Sequence, residues 1–293
     1  MTHFKQIFNV FPLALMLAFV VVGCSSVSVT DVFDMASTAQ QLEKGFEDIS
    51  AEEEYYIGRS VAAMIAGQYA VYDNAAANAY VNTLGQTLAA ASDRPQTYGG
   101  YHFQILDSEE INAFAAPGGF IFITRGMLKC AKHEGALAAV LAHEIGHVQK
   151  KHGLQAIQKS RITSALTELA LKGVQYKAGE ASFILSSSLA VFEGSINDIV
   201  TTMVTNGYSR AFEKEADQTA ATILQRVGYD PNSLVEMLQV METLLKPGGK
   251  DFAKTHPAPE SRIAELEKTI GAYHQVEASA VTQKRFDAAM KNI

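Results

Sequence analysis

The hydrophobic pattern begins with an apolar run, Ile7 to Val22, preceded by Lys5 and interrupted only by Asn9 and Pro12. It is shorter than the roughly 20 residues a spanning helix needs and holds a proline, so it reads as a signal segment. A polar stretch to about residue 47 then passes into helical spacing. Ser50-Ala51-Glu52-Glu53 fits a capping box and opens an alanine-rich helix to about Tyr69. A second helix is predicted from Ala75 to Ala91. The texture then changes to strands: Tyr101–Leu106, followed by Ile111–Ala116 and Phe120–Thr124 flanking the turn Pro117-Gly118-Gly119. From His133 onward helical spacing returns, at about 133–160, 208–227 and 231–245. The pattern predicts an α+β fold, mostly α, with a small antiparallel sheet embedded among helices. Residues 1–23 are a leader, 24–49 a tether, 50–275 the domain and 276–293 a helical tail.

Composition narrows the class. With 48% apolar and 19% charged residues among 293, the chain can bury a core and is not a disordered polymer. A net charge of −7 lacks the basic stripe that nucleic acid demands. Two distant cysteines, Cys24 and Cys130, make neither a disulfide scaffold nor a thiolate metal site. The run Val21-Val22-Gly23-Cys24-Ser25 resembles the lipobox of bacterial lipoproteins, which implies cleavage before Cys24 and lipid on its thiol. Ser25 resembles the signal for outer-membrane sorting. The expected location is the bacterial cell envelope, on the periplasmic face of the outer membrane.

The chemistry sits in His143-Glu144-Ile145-Gly146-His147. At about 100° per residue the two histidines lie about 40° apart on one helix face, so both imidazoles can reach one metal. Glu144 lies too far round to join the chelate, but is placed to meet a water on it. Two nitrogen ligands favour Zn²⁺. Chance alone yields HExxH in about one such chain in a hundred, so context matters. Leu137, Leu141, Ile145 and Val148 supply it, forming an apolar stripe nearly opposite the histidines. By helical phase His152 points about 180° from His143, onto that stripe, and reads as structural. Glu213 and Asp217, at i and i+4 beside Ala220, Ala221 and Leu224, share a face with small residues. Glu213 is the expected third ligand and Asp217 the carboxylate orienting a ligand histidine. Glu215 points the other way.

The pair HEIGH and, about 60 residues later, SRAFEKEAD resembles the zinc metallopeptidases of the HtpX and CAAX-prenyl-protease type, with their HExxH…ExxxD pattern. Two further points are similar to that family: Asn112–Gly119 with Phe120–Gly126, and Thr255-His256-Pro257 with Ser261-Arg262-Ile263. The resemblance implies a gluzincin-like zincin domain, Glu144 as general base and Glu213 as third zinc ligand. The longest uncharged run between the zinc motifs, Ala181–Phe192, is too short to span a membrane. The layout therefore looks like the BepA and LoiP group of periplasmic proteases, which implies unfolded or misassembled proteins, outer-membrane β-barrels among them, as substrates. His256 and Arg262 are candidates for donating to the oxyanion, with Tyr208 weaker; His256 has the alternative of closing the metal as an inhibitory ligand. Asn112, Ala113, Phe114 and Ala115 are the expected exposed strand edge for substrate pairing. The rival reading is a lipid-anchored chaperone or assembly factor with latent activity.

Overall fold

Ser50 makes the capping box its sequence spells: its hydroxyl accepts from the Glu53 amide, and the Glu53 carboxylate accepts from the Ser50 amide at 2.9 Å. The helix it opens, α1, spans Ala51–Gln68. The computed structural model describes residues 49–155, 194, 196–244, 256, 258–291 and 293. The leader 1–23, the tether with Cys24 up to residue 48, and the run 181–192 lie outside the described residues. Asn74 caps α2, Ala75–Ala90, by accepting from the Ala77 amide.

Three strands follow: β1, His102–Leu106; β2, Ala113–Ala116; and β3, Phe120–Thr124. The expected antiparallel sheet is mixed. β2 and β3 pair antiparallel, but β1 pairs parallel with β3, in the order β1-β3-β2. The hairpin is local. Gly118 and Gly119 take φ of 75° and 97°, a left-handed region glycine enters without steric cost. Against this turn α1 packs so closely that a Cβ on Gly58 would lie 1.9 Å from the Pro117 carbonyl oxygen.

Thr124 then caps a short helix, α3, Arg125–Cys130, by accepting from the Met127 amide. The central helix α4, Glu134–Gln149, is buried at every residue from Glu134 to Val148. A one-sided stripe was expected, yet α2, the sheet, and two later helices enclose α4. Its alanines and Gly146 permit that approach, while fully buried Leu137, Leu141 and Ile145 each contribute about 1.5–3 kcal/mol of apolar burial. The enclosing later helices are α5, Arg210–Val227, and α6, Asn232–Leu244. Next come α7, Pro259–Ile270, and α8, Ala280–Met290. The expected C-terminal tail is α8, and it docks on the domain: Phe286 is buried and Arg285 pairs with Glu134 at the start of α4. Among the described residues, no helix is long and apolar enough to cross a membrane.

Candidate active site

His147 follows His143 by four positions on α4, and this spacing brings their Nε2 atoms to 3.1 Å. Helix α5 crosses α4 at Gly146, where an added Cβ would meet the Ala216 carbonyl oxygen at 2.9 Å. That close approach delivers the Glu213 carboxylate to 3.5 Å from His143 Nε2 and 3.4 Å from His147 Nε2. His256, just before α7, places Nδ1 2.6 Å from Glu213. One ligand atom from each of His143, His147, Glu213 and His256 lies within 4.8 Å of all the others, and all four residues are buried.

Behind the cluster, Asp217 lies 2.9 Å from His143 Nδ1. A carboxylate only accepts, so Nδ1 carries a proton, and Nε2 is the ring atom turned toward Glu213 and His147. His147 Nδ1 is 2.9 Å from Nδ1 of His152. Two imidazole nitrogens converging on a carboxylate call for a cation between them. The titration of the metal-free groups agrees. Burial and the Arg262 charge lower His143, but Asp217 and Glu213 outweigh them and raise it to about 9. Burial takes His147 down to about 3. Burial opposes ionisation of Glu213, yet His256, His143 and His147 hold it well below the usual carboxylate range.

Two further atoms face the same need. Among the described residues, Glu144 Oε1 and the Tyr208 hydroxyl are buried with no hydrogen-bond partner, a condition costing about 1–3 kcal/mol each unless a ligand relieves it. Burial raises the Glu144 carboxyl to about 7, where a group exchanges protons readily near neutrality. Two imidazoles and a carboxylate form the donor chemistry of Zn²⁺, and these residues fit it.

Several expectations need correction. Arg262, a candidate oxyanion donor, commits Nε and Nη2 to Asp217 at 2.9 and 2.6 Å, while its Nη1 lies 3.6 Å from Glu213. Its planar fork matches a carboxylate better than a single oxygen. Asn112, Ala113, Phe114 and Ala115 were expected to be exposed and are all buried. β2 is an edge strand of the sheet, but residues Thr202–Asn206 pack against it. His152 does not face the apolar stripe by helical phase. The helix ends at Gln149, and Lys151 turns the chain at φ 55°, which returns His152 to His147. Glu215, pointing away from Glu213 as its phase requires, meets His152 Nε2 at 3.2 Å. Tyr208 stacks on His147 with ring centroids 4.4 Å apart.

One supporting pair escaped sequence reasoning. Buried Glu54 on α1 takes two bonds from Arg94 at 2.7 and 2.8 Å and one from the Gly118 amide at 3.0 Å. Arg94 also donates to the carbonyl of Val148 near the end of α4. The pair joins the turn to the active-site helix across distant sequence, and no local spacing signals it.

Residues 75–270 match the Peptidase family M48. The beta-barrel assembly-enhancing protease of Yersinia pestis is 31% identical over 194 residues, 64% of this chain and 37% of that protein. The protein of the same name from Escherichia coli K12 is 26% identical over 219 residues, 74% of this chain and 44% of its own. The mitochondrial metalloendopeptidase OMA1 of Schizosaccharomyces pombe is 28% identical over 172 residues, 58% of this chain and 47% of its own. The chain therefore spans less than half the length of each of these relatives.

Proposed function

The chain belongs to peptidase family M48 and carries a zinc metalloendopeptidase domain, and we propose that it cleaves unfolded or misassembled proteins of the bacterial cell envelope. Outer-membrane β-barrel proteins are the favoured substrates, on the strength of the relatives' name. The observation that carries the reading is the convergence of His143, His147 and Glu213, with buried Glu144 beside them, its Oε1 without a hydrogen-bond partner among the described residues.

Those three side chains would hold zinc, which when bound would supply Lewis-acid activation of water and of the scissile carbonyl. Glu144 accepts a proton from the attacking water at Oε1 and returns it to the leaving amine. Asp217 holds the proton on His143 Nδ1, and Arg262 holds Asp217 in place. The Tyr208 hydroxyl, lacking a partner, is a donor for the developing oxyanion. His256 Nδ1 donates to Glu213 at 2.6 Å, and both of its alternatives, oxyanion donation and inhibitory ligation, stay open.

Cleavage of casein with one zinc per chain is the expected activity. Glu144→Gln should keep the metal and lose turnover, and His143→Ala should lose both; wild-type turnover by Glu144→Gln would overturn the mechanism. The same variant separates peptidase from anchored assembly factor, because full rescue of a deletion phenotype by Glu144→Gln favours the latter. We place the protein at the membrane through lipid on Cys24. Labelled palmitate should enter the wild type and not Cys24→Ala, and label in both would remove the anchor.

A further inference from the structure

We infer that Glu215 and His152 form a hydrogen-bond relay that fixes the His147 imidazole as a metal ligand, the counterpart for His147 of what Asp217 does directly for His143. The inference rests on the zinc reading above and concerns residues that reading leaves idle.

The direction of the relay follows from donor and acceptor chemistry. The Glu215 carboxylate can only accept, so His152 Nε2, 3.2 Å away, carries the proton. The two Nδ1 atoms of His152 and His147 lie 2.9 Å apart, so one donates and the other accepts. With its proton on Nε2, His152 is the acceptor, and His147 Nδ1–H is the donor. The lone pair of His147 is then on Nε2, the atom facing His143 and Glu213. The opposite tautomer of His152 would set its N–H against the His147 ring and turn the His147 lone pair away from the metal.

Packing keeps both rings in register. Phe212 stacks on His152 with centroids 4.3 Å apart and planes 8° apart, and Tyr208 covers His147 at 22°. Lys151, in its left-handed conformation, is the bend that makes the approach possible. His152 is fully buried, whereas the Glu215 side chain is about half exposed, 49%. One end of the relay is thus in the core and the other at the surface, so the surface end can be altered without opening the core. A histidine present only to fill space would not need Glu215.

The test uses zinc affinity, measured by competition with a chromophoric chelator, so that it does not depend on proteolysis. Glu215→Ala and His152→Phe should each raise the zinc dissociation constant about 10–100-fold, the usual cost of losing an orienting partner. Glu215→Gln, which keeps an accepting oxygen, should stay within about threefold of wild type. His152→Phe keeps the stack on Phe212; should it not fold, exposed Glu215→Ala decides the question. Long-range proton–nitrogen NMR of the zinc-loaded protein should find His152 protonated on Nε2. Wild-type affinity in Glu215→Ala, or a His152 proton on Nδ1, overturns the relay while leaving the zinc reading intact. A wild-type protein that binds no zinc overturns both.

Discussion

His256 is the side chain on which the state of the centre turns. Its Nδ1 lies 2.6 Å from the carboxylate that also approaches both motif histidines, so its removal reads out differently in each of its two alternative roles. With His256 as an inhibitory ligand, His256→Ala should raise casein cleavage severalfold and speed zinc removal by a chelator. A loss of about 10²–10³ in rate with zinc retained would instead make it an oxyanion donor. At this scale the sequence is informative wherever chemistry follows helical phase. Glu213 and Asp217 are legible because residues four apart share a face, and Glu215 is legible as pointing away. His152 is not, because its place depends on where α4 stops. Neither Lys150 nor Lys151 carries the glycine or proline that marks a helix end. Arg262 was legible as belonging to the site but not in its task, since its partner Asp217 is 45 residues away.

Between elements, the spacing of α4 and α5 sets the geometry of the donors. Gly146→Ala would gain up to about 1 kcal/mol of helix propensity. It would also drive a methyl into the Ala216 backbone, at 2.9 Å from its carbonyl oxygen, and overpacking against backbone costs about 1–3 kcal/mol. The clash wins, so the variant should melt lower than wild type and bind zinc more weakly, by calorimetry and metal competition. At the other end of α4, Glu134 ties in α8 and Tyr80, accepting from Arg285, Tyr229 and Tyr80. Burial opposes its ionisation, but those partners outweigh burial and lower its pKa. A lowered carboxylate contributes stability above its unfolded value, and that contribution is lost as pH falls through the folded one. Glu134→Gln should thus be less stable than wild type at pH 7, with the gap in denaturant midpoint closing below about pH 4. The sheet marks the limit of local reading. The Pro117–Gly119 turn announces the β2–β3 pair, but nothing near β1 announces that it joins β3 in parallel. A short helix such as α3 is too brief to have a period.

Across the whole molecule, the candidate donors come from positions 143, 147, 213 and 256, so a bound ion joins α4, α5 and the segment entering α7. None of these positions converges in an unfolded chain, so zinc binds the folded state selectively and stabilises it by mass action. With free zinc at a thousand times its dissociation constant, that amounts to about 4 kcal/mol. For a domain of this size each kcal/mol moves the melting temperature by about 2–4 °C. Chelation should therefore lower the wild-type melting temperature by roughly 8–16 °C, reversibly on adding zinc back. His143→Ala provides the control, since it should melt near the chelated wild type and respond to neither chelator nor zinc. The apolar core around Leu137, Leu141 and Ile145 is independent of the ion, so the chelated protein should still unfold cooperatively. A non-cooperative transition after chelation would mean that the metal, rather than the enclosure of α4, organises the fold.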